Sequence, residues 1–263
     1  MAMPPTKPRL RKREIVLAVA AGGLAAAAAA AILDESNDGA FSHESPVVIV
    51  DGQGEFNNLA PFHAISTVGP QDVEITYGDT QSVNFEGSPQ ALALLEVVVE
   101  DGVLVIRPQN EDWLWNWGGL NEATYRVTVP RLDSITLNGS GDIRVDKIEG
   151  DSFSATLTQR GDLSIGSLKV DRAAFTINGT GDISAAGTAR DTQISLAGRG
   201  DISARELQSK TASVLVNGSG DVKLTVDDRA NVTVNGPGDV SIAGSAQCSI
   251  SQQGRGDVDC GGD

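Results

Sequence analysis

Across 263 residues the chain carries a formal charge of −15, with 30 Gly, only 4% aromatic residues and two Met. Large side chains are too scarce for a helical or α/β enzyme of this length, and small residues at this density point to tight turns and narrow stacked layers. Lys7, Arg9, Arg11, Lys12 and Arg13 against Glu14 give the segment 1–33 a charge of +4, so the remainder carries −19. A body of that sign is repelled by nucleic acid and by anionic lipid, which excludes nucleic-acid binding.

Residues 1–33 read as a signal peptide or a membrane anchor. A basic stretch, KPRLRKR, precedes an uncharged run from Ile15 to Leu33 that ends at Asp34-Glu35. As a helix this run reaches about 28 Å, close to the hydrocarbon thickness of a bilayer. Its many Ala make it weakly apolar for an anchor and supply A-x-A cleavage sites. Basic residues stay on the cytoplasmic side, so residues 34–263 are expected outside it, in the periplasm or at the cell surface. Residues 34–46 form a polar linker.

Residues 47–130 hold short β-runs such as Val97-Val98-Val99 and Val103-Leu104-Val105-Ile106. They are expected to form irregular N-terminal coils, with an antiparallel β cap as the alternative. Residues 131–263 carry the clear signal. ITLNGSGDIRV (135–145), FTINGTGDISA (175–185), ISLAGRGDISA (194–204), VLVNGSGDVKL (214–224) and VTVNGPGDVSI (232–242) align, with weaker copies at 155–165 and 250–260. Their Gly-Asp pairs end at Asp142, Asp162, Asp182, Asp201, Asp221, Asp239 and Asp257, a steady period throughout.

Each copy has apolar residues seven and five positions before its Asp (Ile135 and Leu137, Val214 and Val216) and one and three positions after it (Ile143 and Val145, Val222 and Leu224). Period-two alternation means a strand with one buried face, and the intervening Gly supply turn positions with φ > 0. Every unit needs an identical neighbour to cover it, so the copies are expected to stack as a parallel β-solenoid about 4.8 Å per layer. The crossover rule favours right-handed winding. Asn138, Asn178, Asn217 and Asn235 then stand in one column as an amide ladder. A degraded copy, AISTVGPQDVEI (64–75), lies three and a half coil lengths upstream. The fold class is all-β, a single-stranded parallel β-helix behind an N-terminal signal or anchor helix.

The N-G-S-G-D turns, the opening Phe62-x-x-Ile65…Gly69…Val73-x-Ile75 and the D-G-x-L-x-I segment at 101–106 resemble the head GIN domain family of auto-transporter adhesins of the bacterial envelope. The resemblance covers about 60–260. It implies a β-helical fold and an extracytoplasmic setting, and carries no assigned biochemical role. Auto-transporters export themselves through a C-terminal barrel of many ten-residue strands. No such run follows the last repeat, so export by that route is not expected.

Candidate sites are few. The seven repeat Asp residues would stack as a column, but a Ca²⁺ site needs six or more oxygens and each coil offers one carboxylate. The structural reading, in which each Asp accepts backbone N–H bonds within its own turn, is preferred to a metal site. Arg160-Gly161-Asp162, Arg199-Gly200-Asp201 and Arg255-Gly256-Asp257 match an integrin-ligand tripeptide, yet the repeat already fixes Gly-Asp, so the match is weak. Trp113, Trp115 and Trp117 fall on one side of an extended segment. They serve either as a bulky plug for a small-residue solenoid, the favoured reading, or as a platform for a sugar ring or partner protein. Cys248 and Cys260 have inward parity in the last coil, and a disulfide there would close its end in an oxidising compartment. His43 and His63 lie outside any nucleophile motif, and no G-x-S-x-G elbow, phosphate loop or metal-ligand spacing appears. No catalytic residue, metal site or cofactor is expected. The expected function is a non-enzymatic, adhesin-like binding module for an envelope protein or glycan, with a periplasmic assembly scaffold and a carbohydrate-active enzyme as alternatives.

Overall fold

A computed structural model describes residues 47–50, 53–56, 58–109 and 123–262. The signal or anchor segment, the polar linker and the three Trp lie outside these residues. Among the described residues no helix is long and apolar enough to cross a membrane.

Strand β1 (Val47–Val50) pairs antiparallel with β2 (Gln53–Phe56). Next come β3 (Ala64–Gly69), β4 (Asp72–Tyr77), β5 (Ser82–Glu86), the short helix α1 (Pro89–Leu94), β6 (Leu95–Glu100), β7 (Val103–Pro108) and β8 (Thr124–Val129). The start of α1 is set by Ser88, whose Oγ accepts the N–H of Ala91, with Pro89 at the first helical position. The regular part comprises β9 (Ser134–Gly139), β10 (Ile143–Val145), β11 (Ile148–Leu157), β12 (Leu163–Ile177), β13 (Ile183–Leu196), β14 (Ile202–Val216), β15 (Val222–Val234), β16 (Val240–Ala243), β17 (Gln247–Gln252) and β18 (Val258–Gly262).

From β9 onward every pairing is parallel, and the repeats stack in register. The result is a β-solenoid of about six turns. One buried column runs Ile135, Ala155, Phe175, Ile194, Val214 and Val232, and a second runs Leu137, Leu157, Ile177, Leu196, Val216 and Val234. Residues after each Asp supply a third, Ile143, Leu163, Ile183, Ile202, Val222 and Val240. Unequal coil lengths are absorbed away from these columns. The register shifts between Ile165 and Leu168, between Ser184 and Ala186, and between Ala204 and Gln208, at the bend that follows the third column.

The degraded copy at 64–75 stacks directly on the first regular coil, with Ile65 opposite Ile135, Gly69 opposite Gly139 and Val73 opposite Ile143. The long segment separating Asp72 from Asp142 therefore adds no layer between the two copies. It passes to the far side of β3 and β4 instead. There β7 pairs parallel with β3, and β8 pairs parallel with β4. Strand β6 then pairs antiparallel with β7, β5 with β8, and β2 with β5. This stretch thus combines one further parallel layer with antiparallel strands laid along it. Bulky aromatics fill its interior: Tyr125 is fully buried, with ring centroids 5.3 Å from Phe85 and 6.2 Å from Phe56.

The expected amide ladder is realised at one step only. Asn235 Nδ2 donates to Asn217 Oδ1 at 2.7 Å, while Thr158 and Ala197 occupy the intervening layers and interrupt the column. Thr158 Oγ1 and Gln159 Nε2 both donate to Asn138 Oδ1 in its place.

Candidate functional site

The Asp column is continuous, but its hydrogen bonds run between coils and not within a turn as the sequence suggested. Asp142, Asp162, Asp182, Asp201, Asp221, Asp239 and Asp257 each donate their backbone N–H to Oδ1 of the Asp one layer earlier, beginning with Asp72, at 2.7–3.2 Å. In the opposite sense, each Asp carbonyl from Asp142 to Asp257 accepts the N–H of the residue following the previous layer's Asp. The carboxylate therefore supplies the acceptor for the Asp N–H, while turn N–H groups such as those of Ser140, Gly141, Arg160 and Gly161 donate to a Gly carbonyl of the previous layer.

The turn Gly are needed for a different reason from the positive φ that the sequence suggested. Among them only Gly69 has positive φ. A Cβ on Gly139, Gly161, Gly200 or Gly238 would stand about 2 Å from a backbone oxygen of the turn below. Gly is required by close approach of successive turns, not by a left-handed backbone. The three Arg-Gly-Asp tripeptides are held in this stack. Arg144 reaches Asp142 at 3.4 Å; among the described residues Arg160, Arg199 and Arg255 make no ion pair with the column. No group of three His, Cys, Asp or Glu among the described residues has the geometry to hold a metal ion.

Cys248 on β17 and Cys260 on β18 are joined in a disulfide, with a Cα–Cα distance of 6.5 Å. Trp113, Trp115 and Trp117 lie outside the described residues. His63 Nδ1 stands 3.2 Å from Asp133 Oδ2, and Arg131 Nε donates to the other oxygen at 2.7 Å. This orients an exposed imidazole, but none of the described hydrogen bonds joins it to a Ser, Thr or Cys, so no base–nucleophile pair is assembled there.

A concavity lies on the side of the solenoid. It is a groove of about 790 Å³ across β11 to β15. One rim is the row Ser152, Arg172, Asp191, Thr211 and Arg229, which are register partners in successive layers. The other is the row Ser154, Ala174, Gln193, Ser213 and Asn231. Between them lie Phe153, Ala173, Thr192 and Ala212, mostly small and all buried. Five layers at about 4.8 Å give the groove a length of roughly 19 Å.

Its charges are ordered. Thr211 Oγ1 donates to Asp191 Oδ1 at 2.7 Å, and Arg190 Nε approaches Asp191 Oδ2 at 3.5 Å. The Thr211 hydrogen bond, followed by the Arg190 and Arg172 charges, holds the Asp191 carboxyl below the usual carboxylate range against a smaller opposing effect of desolvation. Arg229 makes no ion pair among the described residues and is exposed. A carboxylate, guanidinium groups, two amides and several hydroxyls along a shallow trough can donate hydrogen bonds at every layer and accept them at every layer but that of Arg172 and Ala174. Sequence reasoning missed this groove. Its rims stand ten and eight positions before each Asp, so the repeat register located them; nothing in the hydrophobic alternation marked them as functional.

A parallel β-solenoid with a polar side trough belongs to the repeat proteins, which present an extended surface. The chain belongs to the family described as "Putative auto-transporter adhesin, head GIN domain", whose pattern matches residues 61–246. Among solved structures it is similar to a "putative adhesin" from Bacteroides fragilis, with TM-score 0.73 and 21% identity over 79% of this chain and 95% of that one. A "putative adhesin" from Parabacteroides distasonis has TM-score 0.57 and 17% identity over 82% and 98%. A "putative lipid binding protein" from the same species has TM-score 0.58 and 18% identity over 79% and 95%. At these identities the likeness is one of fold. No curated protein matches the sequence.

Proposed function

We propose that this chain is a non-enzymatic, extracytoplasmic binding module that holds a neutral envelope glycan in its side groove. The observation that carries the reading is the pair of polar rims, repeated layer by layer. A linear polymer of hydroxyl-bearing units matches such a trough, because Asp191 accepts hydrogen bonds, Arg172 and Arg229 donate them, and Gln193 and Asn231 do both. A polyanion is disfavoured by the −19 of the body. The basic and apolar N-terminal segment supports an address outside the cytoplasm, and the adhesin-like family supports an envelope setting.

The test is calorimetric titration of the protein with oligosaccharides prepared from neutral envelope polysaccharides. Gln193→Ala and Asn231→Ala should each weaken binding by roughly three- to tenfold, the loss of one or two hydrogen bonds, with thermal unfolding unchanged. Binding that ignores both changes, or no binding to any neutral glycan, would reject the groove as the site.

A further inference from the structure

The two ends of the solenoid differ. At one end the parallel strands β7 and β8 are themselves covered, by antiparallel β6 and β5. At the other end, among the described strands, β17 pairs only with β15 and β18 only with β16. The outer edge of β17 therefore presents unpaired backbone N–H and C=O groups. Ile250 occupies the column in which Ile194, Val214 and Val232 are 1–2% exposed, yet it is itself 47% exposed. The layer ends on an inward apolar residue, and none of the described strands is stacked over it.

We propose that this edge is covered by the same edge of a second copy, forming a closed, end-to-end dimer in which β17 pairs antiparallel with its counterpart about Ile250. Three observations select that occupant. Sheet edges are usually blocked by charge, Pro or a bulge, but Gln247-Cys248-Ser249-Ile250-Ser251-Gln252 has no charge and no Pro, and pairs with β15 without a register shift. The sequence is largely self-complementary about Ile250, with Ser249 and Ser251 on either side and Gln247 and Gln253, the latter one residue past β17, further out; only the intervening Cys248 and Gln252 differ. An antiparallel second copy sets Ile250 across from Ile250, Ser249 across from Ser251, Cys248 across from Gln252 and Gln247 across from Gln253, which joins the ends of the two apolar columns and pairs Ser with Ser and Gln with Gln. Among the described residues the opposite end offers no matching neutral parallel edge, so assembly stops at two copies. End-to-end contact through a neutral strand also keeps the −19 bodies apart, and the remaining repulsion makes association stronger as salt rises. This inference is independent of the groove.

The experiment is sedimentation equilibrium of the full chain in detergent micelles, from about 10 µM to about 1 mM, a range suited to an interface of small area. The wild type and Ile250→Val should move from one copy to two, at lower concentration in higher salt, while Ile250→Lys stays single with an unchanged unfolding midpoint. Ser249→Lys combined with Ser251→Lys changes only outward side chains and sets Lys opposite Lys twice. It should abolish the dimer, and mixing it with the corresponding Ser→Glu double variant should restore a mixed dimer. That rescue keeps the test decisive if Ile250→Lys does not fold. A wild type that remains single throughout, species that grow beyond two copies, or a dimer that survives the Lys double variant would each overturn the proposal.

Discussion

Asp201 Oδ1 accepts the backbone N–H of Asp221 at 2.7 Å, so a side chain in one turn completes the backbone ladder of the next. The same relation recurs along the column, and it explains why stacked carboxylates are kept although neighbours repel by about 0.9 kcal/mol at about 4.8 Å even in water. Acceptor and charge can be separated by substitution. Asp201→Ala leaves the Asp221 N–H without its acceptor and should lower stability by about 1 kcal/mol. Asp201→Asn keeps an acceptor and removes a like charge, and should match or exceed wild type at low salt. Asp257→Ala, at the last described layer, deletes a carboxylate that accepts no hydrogen bond among the described residues and should be near neutral. Urea unfolding of the three variants gives the ranking.

The turn Gly predict a contrast between two Gly→Ala changes that local conformation alone would not. Gly200 has no positive φ, yet its Cβ would lie 1.9 Å from the Gly181 carbonyl oxygen. The clash is with backbone, so Gly200→Ala should cost about 3 kcal/mol or prevent folding. Gly150 is also in a solenoid strand, but nothing lies within 4 Å of its added Cβ. Gly150→Ala should stay within about 0.5 kcal/mol of wild type. Thermal unfolding of the pair distinguishes close stacking from backbone flexibility as the reason for Gly.

The Cys248–Cys260 bridge closes a short loop in the last layer, worth about 3 kcal/mol in the chain-entropy model. In a stacked repeat that effect is local, because each layer contacts only its neighbours. Cys248→Ser with Cys260→Ser should therefore sharply lower amide-exchange protection in β16 to β18 and leave β11 to β13 unchanged. A uniform loss of protection along the solenoid would show that the last layer is coupled to the whole.

The layer plan was legible because inward positions repeat their chemistry. Ile143, Leu163, Ile183, Ile202, Val222 and Val240 announce their column in any alignment of the copies. Pairing across a long excursion is different. Nothing local in Val73 says that it meets Ile143, because the intervening segment holds strand-like runs that read equally well as coils. The direction of the Asp hydrogen bonds was missed for a related reason: residue type identifies an acceptor, while the spacing between turns decides whose N–H it reaches. The groove was missed because its rims, Arg172 and Asp191 on one side and Gln193 and Asn231 on the other, vary from layer to layer and so stand outside the repeat that drew attention.

Asp191 gives the groove a pH dependence with a definite sign. Its folded-state pKa is lowered, first by the Thr211 hydrogen bond and then by Arg190 and Arg172. A depressed carboxylate contributes stability that is present above its unfolded value and is lost as pH falls through the folded one. The groove should thus keep its charge pattern down to and somewhat below the ordinary Asp value of about 3.9. Thr211→Val removes the leading cause and should move the Asp191 titration upward in a side-chain NMR experiment. An unmoved titration would assign the shift to the Arg side chains.

Thr67 is the polar exception in an aliphatic column, opposite Leu137 on one side and Ile106 on the other. It is fully buried, and its hydroxyl has no hydrogen-bond partner among the described residues; Gln71 Oε1 and Tyr125 Oη share that condition. A buried hydroxyl without a partner costs about 1–3 kcal/mol, and Val has nearly the same shape. Thr67→Val should therefore stabilise the protein by about 1 kcal/mol, and Tyr125→Phe should act in the same direction. Chemical denaturation of the two single variants and the double variant separates the cases. Additive gains mean that each polar atom is independently unpaired. Losses that fail to add mean that the hydroxyls bond to each other or to a common water inside the layer, and that this polar group helps to set where the regular solenoid begins.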